Sequence, residues 1–512
     1  MGLQWATHNV APELEHIDAI SESFGSYAPS LLSEETSIQR IRCNYDGSDC
    51  HLNELDESQL SNDLSLHSGV DAPKDTWEFF FINKFLIRDR KIAAPTNSNR
   101  LQISTSSYQQ LVSYCDLPPS FVHALFRHYL PTGRGFREIS SINDAITYDH
   151  WYFLPVRVQV LCKKSSGHTV KTPDNNQMNP FNYLHLPDVK VDKKGSCVDI
   201  RGSCIAIYSK HNTSTGRSTF VIFNLLDGRW DKVVEEPRIR ITETIAHANE
   251  NGQLKSPYFH HLVYLTSTLK WWTNAMNSVN VQLIAYEDSL QHEMDNNEDS
   301  TKFYTDLNRA LHSIAAHLHR YGSELKSLEA TISDMDKQLT EVCNFHERTD
   351  DANRQIIHGL NHIASQVREI NDFVLELEKK LNNILALLFN RMQIANTQAM
   401  NKVLQAIQAD TKTSQILSKE MQKDSLSMKT IAVVTMFFLP GATFAALFSM
   451  PFFGNNDWLS SVSRMWLWFA FTVPTTSLTL LFYWYYKRRG EQIRSEEDGK
   501  VDEEDSTNVE KL

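Results

Sequence analysis

Apolar residues follow three different patterns along the chain. Two runs near the C-terminal end are continuous. Ile431 to Phe453 (IAVVTMFFLPGATFAALFSMPFF) and Met465 to Tyr486 (MWLWFAFTVPTTSLTLLFYWYY) contain no charged side chain. A bilayer core of roughly 30 Å needs about 20 apolar residues at about 1.5 Å each, and both runs meet that length. The pattern predicts a first transmembrane helix over 430–453, an extracytosolic loop over 454–464 and a second transmembrane helix over 465–486. On hydropathy alone, a hairpin that merely anchors the rest of the chain is an equal reading.

The second pattern is periodic and covers 256–429, where long helices forming a funnel or stalk are expected. Pro257 to Gln291 reads as the first of them. In the second, apolar positions run Tyr304, Leu307, Leu311, Ile314, Leu318 and on to Val342 in steps of three and four. After HERTDDAN the same steps resume from Ile356 to Leu388. Such alternation marks heptad seams. Helix is expected to continue into the first span, giving a stalk above about 100 Å if unbroken. Met400 to Thr430 is more polar, which suits a wet axis shared by several chains or an exposed link.

The third pattern, over 73–255, is short apolar stretches rich in aromatic and β-branched residues: TWEFFFINKFLI from Thr76, LQIS from Leu101, WYFLPVRVQVLC from Trp151, SCVDIRGSCIAIYS from Ser196 and RSTFVIFNLL from Arg217. These read as strands. Tyr108 to Tyr129 has helical spacing, with Pro118-Pro119 able only to open a second helix. An α+β or α/β domain follows, with the direction of its sheet left open. Residues 1–72 are polar and acidic and are expected to be partly disordered; 487–512 is an acidic cytosolic tail, expected to be disordered from Ser495 onward.

The net charge of −12 argues against a nucleic-acid partner. Lys419, Lys423 and Lys429 precede the first span and Lys487, Arg488, Arg489 and Arg494 follow the second, whereas the loop offers only Arg464. The positive-inside rule then puts both termini in the cytosol; the plasma membrane is the favoured bilayer. Seven cysteines, an odd number on the cytosolic side, are expected to be free thiols. Neither Cys43 with Cys50 nor Cys197 with Cys204 has zinc-knuckle spacing. MGLQWATHNV lacks the basic and apolar regions of a signal peptide, and Ala6 stands where a myristoylation motif needs Ser or Thr. His312, His317, His319, His358 and His362 read as solvated helix faces. No GxxxxGK[ST], GxSxG or CxxC occurs, and an enzyme is not expected.

The first span carries the candidate chemistry. Ala432, Thr435, Leu439, Ala442, Ala446 and Ser449 recur at helical spacing, and all but Leu439 are small or hydroxylic. Small residues allow close helix packing, and they equally suit a narrow wet path. With no charge in the span, a cation would keep most of its water; Mg²⁺, which dehydrates reluctantly, fits that requirement.

A long polar helix entering DSLSMKTIAVVTMFFLPGATFAALFSMPFF, then a short loop, a second span and a basic stop, resembles the CorA-type magnesium and divalent metal cation transporter superfamily, especially its fungal branch. The specific stretch is Met428 to Phe453; the architecture extends over about 256 to 490. The resemblance implies a homopentamer with the first span of each subunit lining a pore, and a passive, potential-driven flux of hydrated Mg²⁺ that also serves as regulatory ion. By position it places Ile431, Thr435, Leu439, Ala442, Ala446 and Ser449 on the pore and Met428 with Ile431 at the cytosolic gate. The family's Gly-Met-Asn mouth is replaced by Ser449-Met450-Pro451, and Asn455, Asn456 and Asp457 are candidates for a substitute ring of oxygens. Glu324, Asp334 and Asp336 are candidate regulatory carboxylates. A coiled-coil scaffold that keeps the fold without conduction is the competing reading.

Overall fold

The computed structural model describes residues 17–44, 50–66, 74–84, 87–88, 91–92, 100–127, 132–140, 146–163, 183–186, 196–225, 231–251, 256–292, 300–345, 351–450 and 461–509. In chain order the elements begin α1 (Ile17–Leu31), β1 (Ile38–Asn44), β2 (His51–Leu55), α2 (Glu57–Leu66) and β3 (Thr76–Asn83). The two-residue β4 (Ile87–Arg88) and β5 (Lys91–Ile92) pair with each other. Then come α3 (Thr105–Cys115), α4 (Pro119–Leu125), β6 (Arg134–Ser140), β7 (Ile146–Lys163), β8 (Tyr183–Leu186), β9 (Ser196–Asn212) and β10 (Ser218–Asn224). Helices complete the chain: α5 (Asp231–Asn251), α6 (Phe259–His292), α7 (Ser300–Phe345), α8 (Asp351–Phe448) and α9 (Ser461–Val509). The chain forms two units that meet between Met392 and Gln393, inside α8.

The first unit is built on one mixed sheet of order β2-β1-β3-β10-β9-β7-β6, with β8 added to β9. Its pairs are antiparallel except β3 with β10. Those two central strands, TWEFFFIN and STFVIFN, are buried along their whole length. Continuous apolar strands of this kind require cover on both faces. Phe80, Ile82, Val221 and Phe223 point into a core with α1, α3 and α4, whereas Phe79, Phe81, Phe220 and Ile222 point into a larger core with α6, α7 and α8.

Local chemistry sets the helix ends. The Ser104 side chain accepts from the backbone N–H of Ser107 and opens α3; Asp116 closes it at φ 55°. Pro119 sits at the start of α4, where its missing N–H costs nothing. LQIS is therefore not a strand: Leu101 makes a single bridge to Leu32, and the next residues become the cap of α3.

The folded domain also starts earlier than its composition suggests. β1 lies between β2 and β3, and Ile20, Phe24 and Ala28 of α1 are buried. The acidic bias of 1–72 hides this because buried charges here are paired. Arg40 and Arg42 of β1 and Arg217 all lie against Glu78 of β3, which is 1% exposed. At the other end, α9 continues as helix to Val509, through the tail expected to be disordered; no proline interrupts it after Pro474.

Both heptad seams close within the chain. Leu311, Leu318, Leu325 and Ile332 of α7 share one core with Leu360, Val367, Val374 and Leu381 of α8. Arg368 pairs with Glu329 and Asn361 bonds Asp336, so α7 and the first part of α8 run antiparallel. α6 completes the layer, and Gly359 lets α8 approach Leu262, where a Cβ would lie 2.8 Å from Cδ1. His317, expected on a solvated face, is buried beside Tyr321, whereas His312, His319, His358 and His362 are exposed.

Candidate functional site

The second unit contains the apolar helical stretches. α8 and α9 each include a segment long and apolar enough to cross a membrane, ending at Phe448 in α8 and covering Met465–Arg489 in α9. The first segment is shorter than its apolar run. The backbone N–H groups of Ser449 and Met450 still bond back to Ala445 and Leu447. Pro451, Asn455, Asn456 and Asp457 lie outside the described residues.

One side of the first span packs on the second. The indole N–H of Trp468 donates to the carbonyl of Gly441 at 2.9 Å, and Phe471 stacks on Phe444 with centroids 5.9 Å apart. A Cβ on Gly441 would sit 3.5 Å from both Thr472 and Trp468, an ordinary contact that marks how near the two helices lie here. Val433, Pro440, Gly441, Phe444 and Phe448 are the half-buried residues of this span. At about 100° per residue they fall within about 60° of Phe444.

The stripe read from the sequence lies opposite. Thr435, Leu439, Ala442, Ala446 and Ser449 of that stripe, together with the gate and pore positions Met428 and Ile431, fall within about 40° of the direction directly away from Phe444, and Ala432 falls about 60° from it. All of them are exposed in the single chain. Thr435 donates back to the carbonyls of Ile431 and Ala432, which satisfies its proton and leaves oxygen lone pairs outward. The stripe thus lies on the side of the helix that the hairpin leaves uncovered, beside the equally exposed Val434, Phe437 and Phe438. Residues 400–430 are exposed all round, including Met400, Val403, Leu404, Ile407 and Met421.

The acidic residues singled out in the first unit are engaged within the chain. Glu324 receives Arg157 Nε at 2.8 Å and Arg320 Nε at 2.7 Å. Burial raises its pKa, but the charges and hydrogen bonds of Arg157 and Arg320 outweigh that and hold it below the usual carboxylate value. Asp334 pairs with Arg134, and Asp336 accepts from Asn361. This donor set does not fit a cation site within one chain. Among the described residues, no group of three His, Cys, Asp or Glu side chains is arranged to hold a metal ion.

Sequence reasoning missed a buried histidine cluster. The rings of His260 and His261, at the start of α6, lie 3.8 Å apart, and His150 of β7 lies 5.2 Å from His261. His261 Nδ1 shares a 2.8 Å hydrogen bond with Tyr152 Oη, and Tyr258 stacks on the same ring. Burial pushes His150 down to about 4 and His260 to about 3, and lowers His261 well below 6.5. His317 is lowered to about 4 by burial and then by Arg157 and Arg320. The signal available was the His-His doublet inside an apolar helical start, where neutral imidazoles pack as rings.

These groups fix a pH dependence. A histidine neutral in the fold but titrating near 6.5 when unfolded binds more protons unfolded as pH falls below 6.5. Stability is therefore complete above about pH 7 and declines from pH 6.5 toward the folded values near 4. At pH 5.5 each histidine costs on the order of 1 kcal/mol, and the four together several kcal/mol. The thermal unfolding midpoint of the full chain should fall steadily between pH 7.5 and 5.5. A flat or rising midpoint would remove the neutral cluster.

No known family profile matches the chain. A curated relative, Notoamide biosynthesis cluster protein M' of Aspergillus versicolor, is 29% identical over 173 residues, which is 33% of this chain and 35% of that protein. The chain thus spans about a third of the relative's length. Two solved structures align over most of their own length. They are the full-length CmaX protein (9% identity, 89% of this chain, 98% of that one, TM-score 0.36) and the ZntB cytoplasmic domain from Vibrio parahaemolyticus (9% identity, 70% of this chain, 98% of that one, TM-score 0.32). A TM-score below 0.5 does not establish a shared fold.

Proposed function

We propose that the chain is one subunit of a passive divalent cation channel of the CorA type, with Mg²⁺ as preferred cargo. The observation that carries this reading is the position of the small, hydroxyl-bearing stripe on the side of the first span turned away from the second. Several copies arranged around an axis would bring Thr435, Ala442, Ala446 and Ser449 to a common path. That path offers oxygen dipoles and no fixed charge, so it suits an ion that keeps its first water shell. Met428 and Ile431 narrow its inner end. Ser449 and Met450 lie at its outer end, where the sequence continues into Pro451 and the candidate oxygen ligands Asn455, Asn456 and Asp457. With both termini cytosolic, an inside-negative potential contributes about 4.6 kcal/mol per divalent ion at 100 mV.

The scaffold reading needs the heptad seams to join different chains. Their apolar positions are already buried between α7 and α8 of one chain, which counts against it. Assembly then falls to the exposed length of α8 beyond Gln393. Native mass spectrometry of the detergent-solubilised protein tests this: five copies are expected, and a dimer would favour the scaffold.

A further inference from the structure

The hairpin β1–β2 places two cysteines face to face. Ile38 stands opposite Leu55 and the pairing ends with Arg42 opposite His51, so Cys43 and Cys50 are the next residues along the two arms of the hairpin, and continuing the register would set them opposite each other. The two thiols are close enough to influence each other's protonation. Cys43 is 1% exposed, with its Sγ 3.9 Å from the carbonyl of Trp77, while Cys50 is exposed just before β2. One sulfur is thus sheltered in the core and its partner is open to solvent.

We propose that Cys43 and Cys50 are a site of reversible oxidation, closing to a disulfide in response to a peroxide. The register favours it: opposed residues of antiparallel strands hold Cβ atoms about 4.5–5.5 Å apart, and a disulfide needs about 3.5–4.5 Å. Closure therefore asks for about 1 Å of movement at the end of a hairpin. The proton distribution also favours it. The neighbouring Cys43 lowers the exposed Cys50 thiol to about 7, while Cys43 itself is raised by Cys50 and by burial, which favours thiolate at the exposed sulfur. By contrast, Cys115 and Cys204 are buried, and burial raises both thiols above the ordinary cysteine range.

The chemistry balances with hydrogen peroxide as oxidant. The Cys50 thiolate attacks one peroxide oxygen, the O–O bond breaks, and hydroxide leaves, giving a sulfenic acid. The Cys43 sulfur then attacks the Cys50 sulfur. The S–O bond breaks, and the departing hydroxide takes up the Cys43 proton as water. Two thiols and one peroxide become one disulfide and two waters, with two electrons passing from sulfur to peroxide. A dithiol reductant reverses the step by exchange. This site is independent of ion conduction.

The test uses the purified full-length protein, reduced, freed of reductant and titrated with hydrogen peroxide. Remaining thiols are alkylated in denaturant and peptides are read by mass spectrometry. The expected result is a linked Cys43–Cys50 peptide that dithiothreitol abolishes, formed before Cys115 or Cys204 is consumed. In Cys43→Ala, an apolar replacement at a buried position, Cys50 should instead be trapped as sulfenic acid by dimedone and proceed to sulfinic acid. In Cys50→Ser, Cys43 should remain a thiol at the same dose. The proposal is overturned if wild-type Cys43 stays alkylatable while Cys50 accumulates as sulfinic acid, or if both thiols survive a dose that oxidises the exposed methionines.

Discussion

Replacing Ala446 with Trp should reduce divalent cation flux to background while leaving the helical hairpin intact. Ala446 is exposed and lies on the side of the first span directed away from Phe444, Phe471 and Trp468. An indole there fills the proposed path and meets nothing in its own hairpin. Leu447→Trp is the matched control. It adds the same ring one residue on, about 100° around the helix, where the side chain is also exposed. Flux through Leu447→Trp should persist. Equal loss in both variants would mean that bulk anywhere on the span disrupts assembly, and the stripe would lose its special standing.

The second large effect is on stability. Glu324→Ala should destabilise the first unit by about 3–5 kcal/mol, because it removes the carboxylate that the buried Arg157 and the half-buried Arg320 share. Arg157 is 1% exposed on β7, sits 4.9 Å over the Tyr321 ring and has its Nε and Nη on Glu324. Arg320 reaches the same carboxylate from one turn away on α7. The network is thus a clamp between the sheet and the helical layer. Charge burial, rather than the loss of one contact, sets the size of the effect. Converting the pair together, Arg157→Met with Glu324→Leu, should recover most of the loss, since apolar replacements of a buried ion pair need no solvation. Thermal unfolding of the wild type and of these two variants checks this. A single substitution no worse than the double would show that the carboxylate is not balancing Arg157.

Much of this was legible in the sequence where one physical rule acts alone. An uncharged run long enough to span is readable without context, and so is an unbroken alternation of three and four. Tertiary context decided the rest. β1 escaped notice because Arg40 and Arg42 interrupt its apolar residues, and only the fold brings Glu78 to them. His317 looked polar on its helix but faces Tyr321. The seams were legible as seams, whereas their closure within one chain depended on α7 and α8 being antiparallel neighbours. The side of the first span left free became visible only when Trp468 and Phe471 marked the other side as taken.

Conduction itself is the most direct test. The purified protein would be placed in liposomes loaded with a Mg²⁺-sensitive dye, with an inside-negative potential imposed before external Mg²⁺ is added. A potential-dependent rise in internal Mg²⁺, absent from protein-free liposomes, is the predicted result. No entry of Mg²⁺, Co²⁺, Ni²⁺ or Zn²⁺ through a well-folded pentamer would contradict the channel and leave these helices a role in assembly alone.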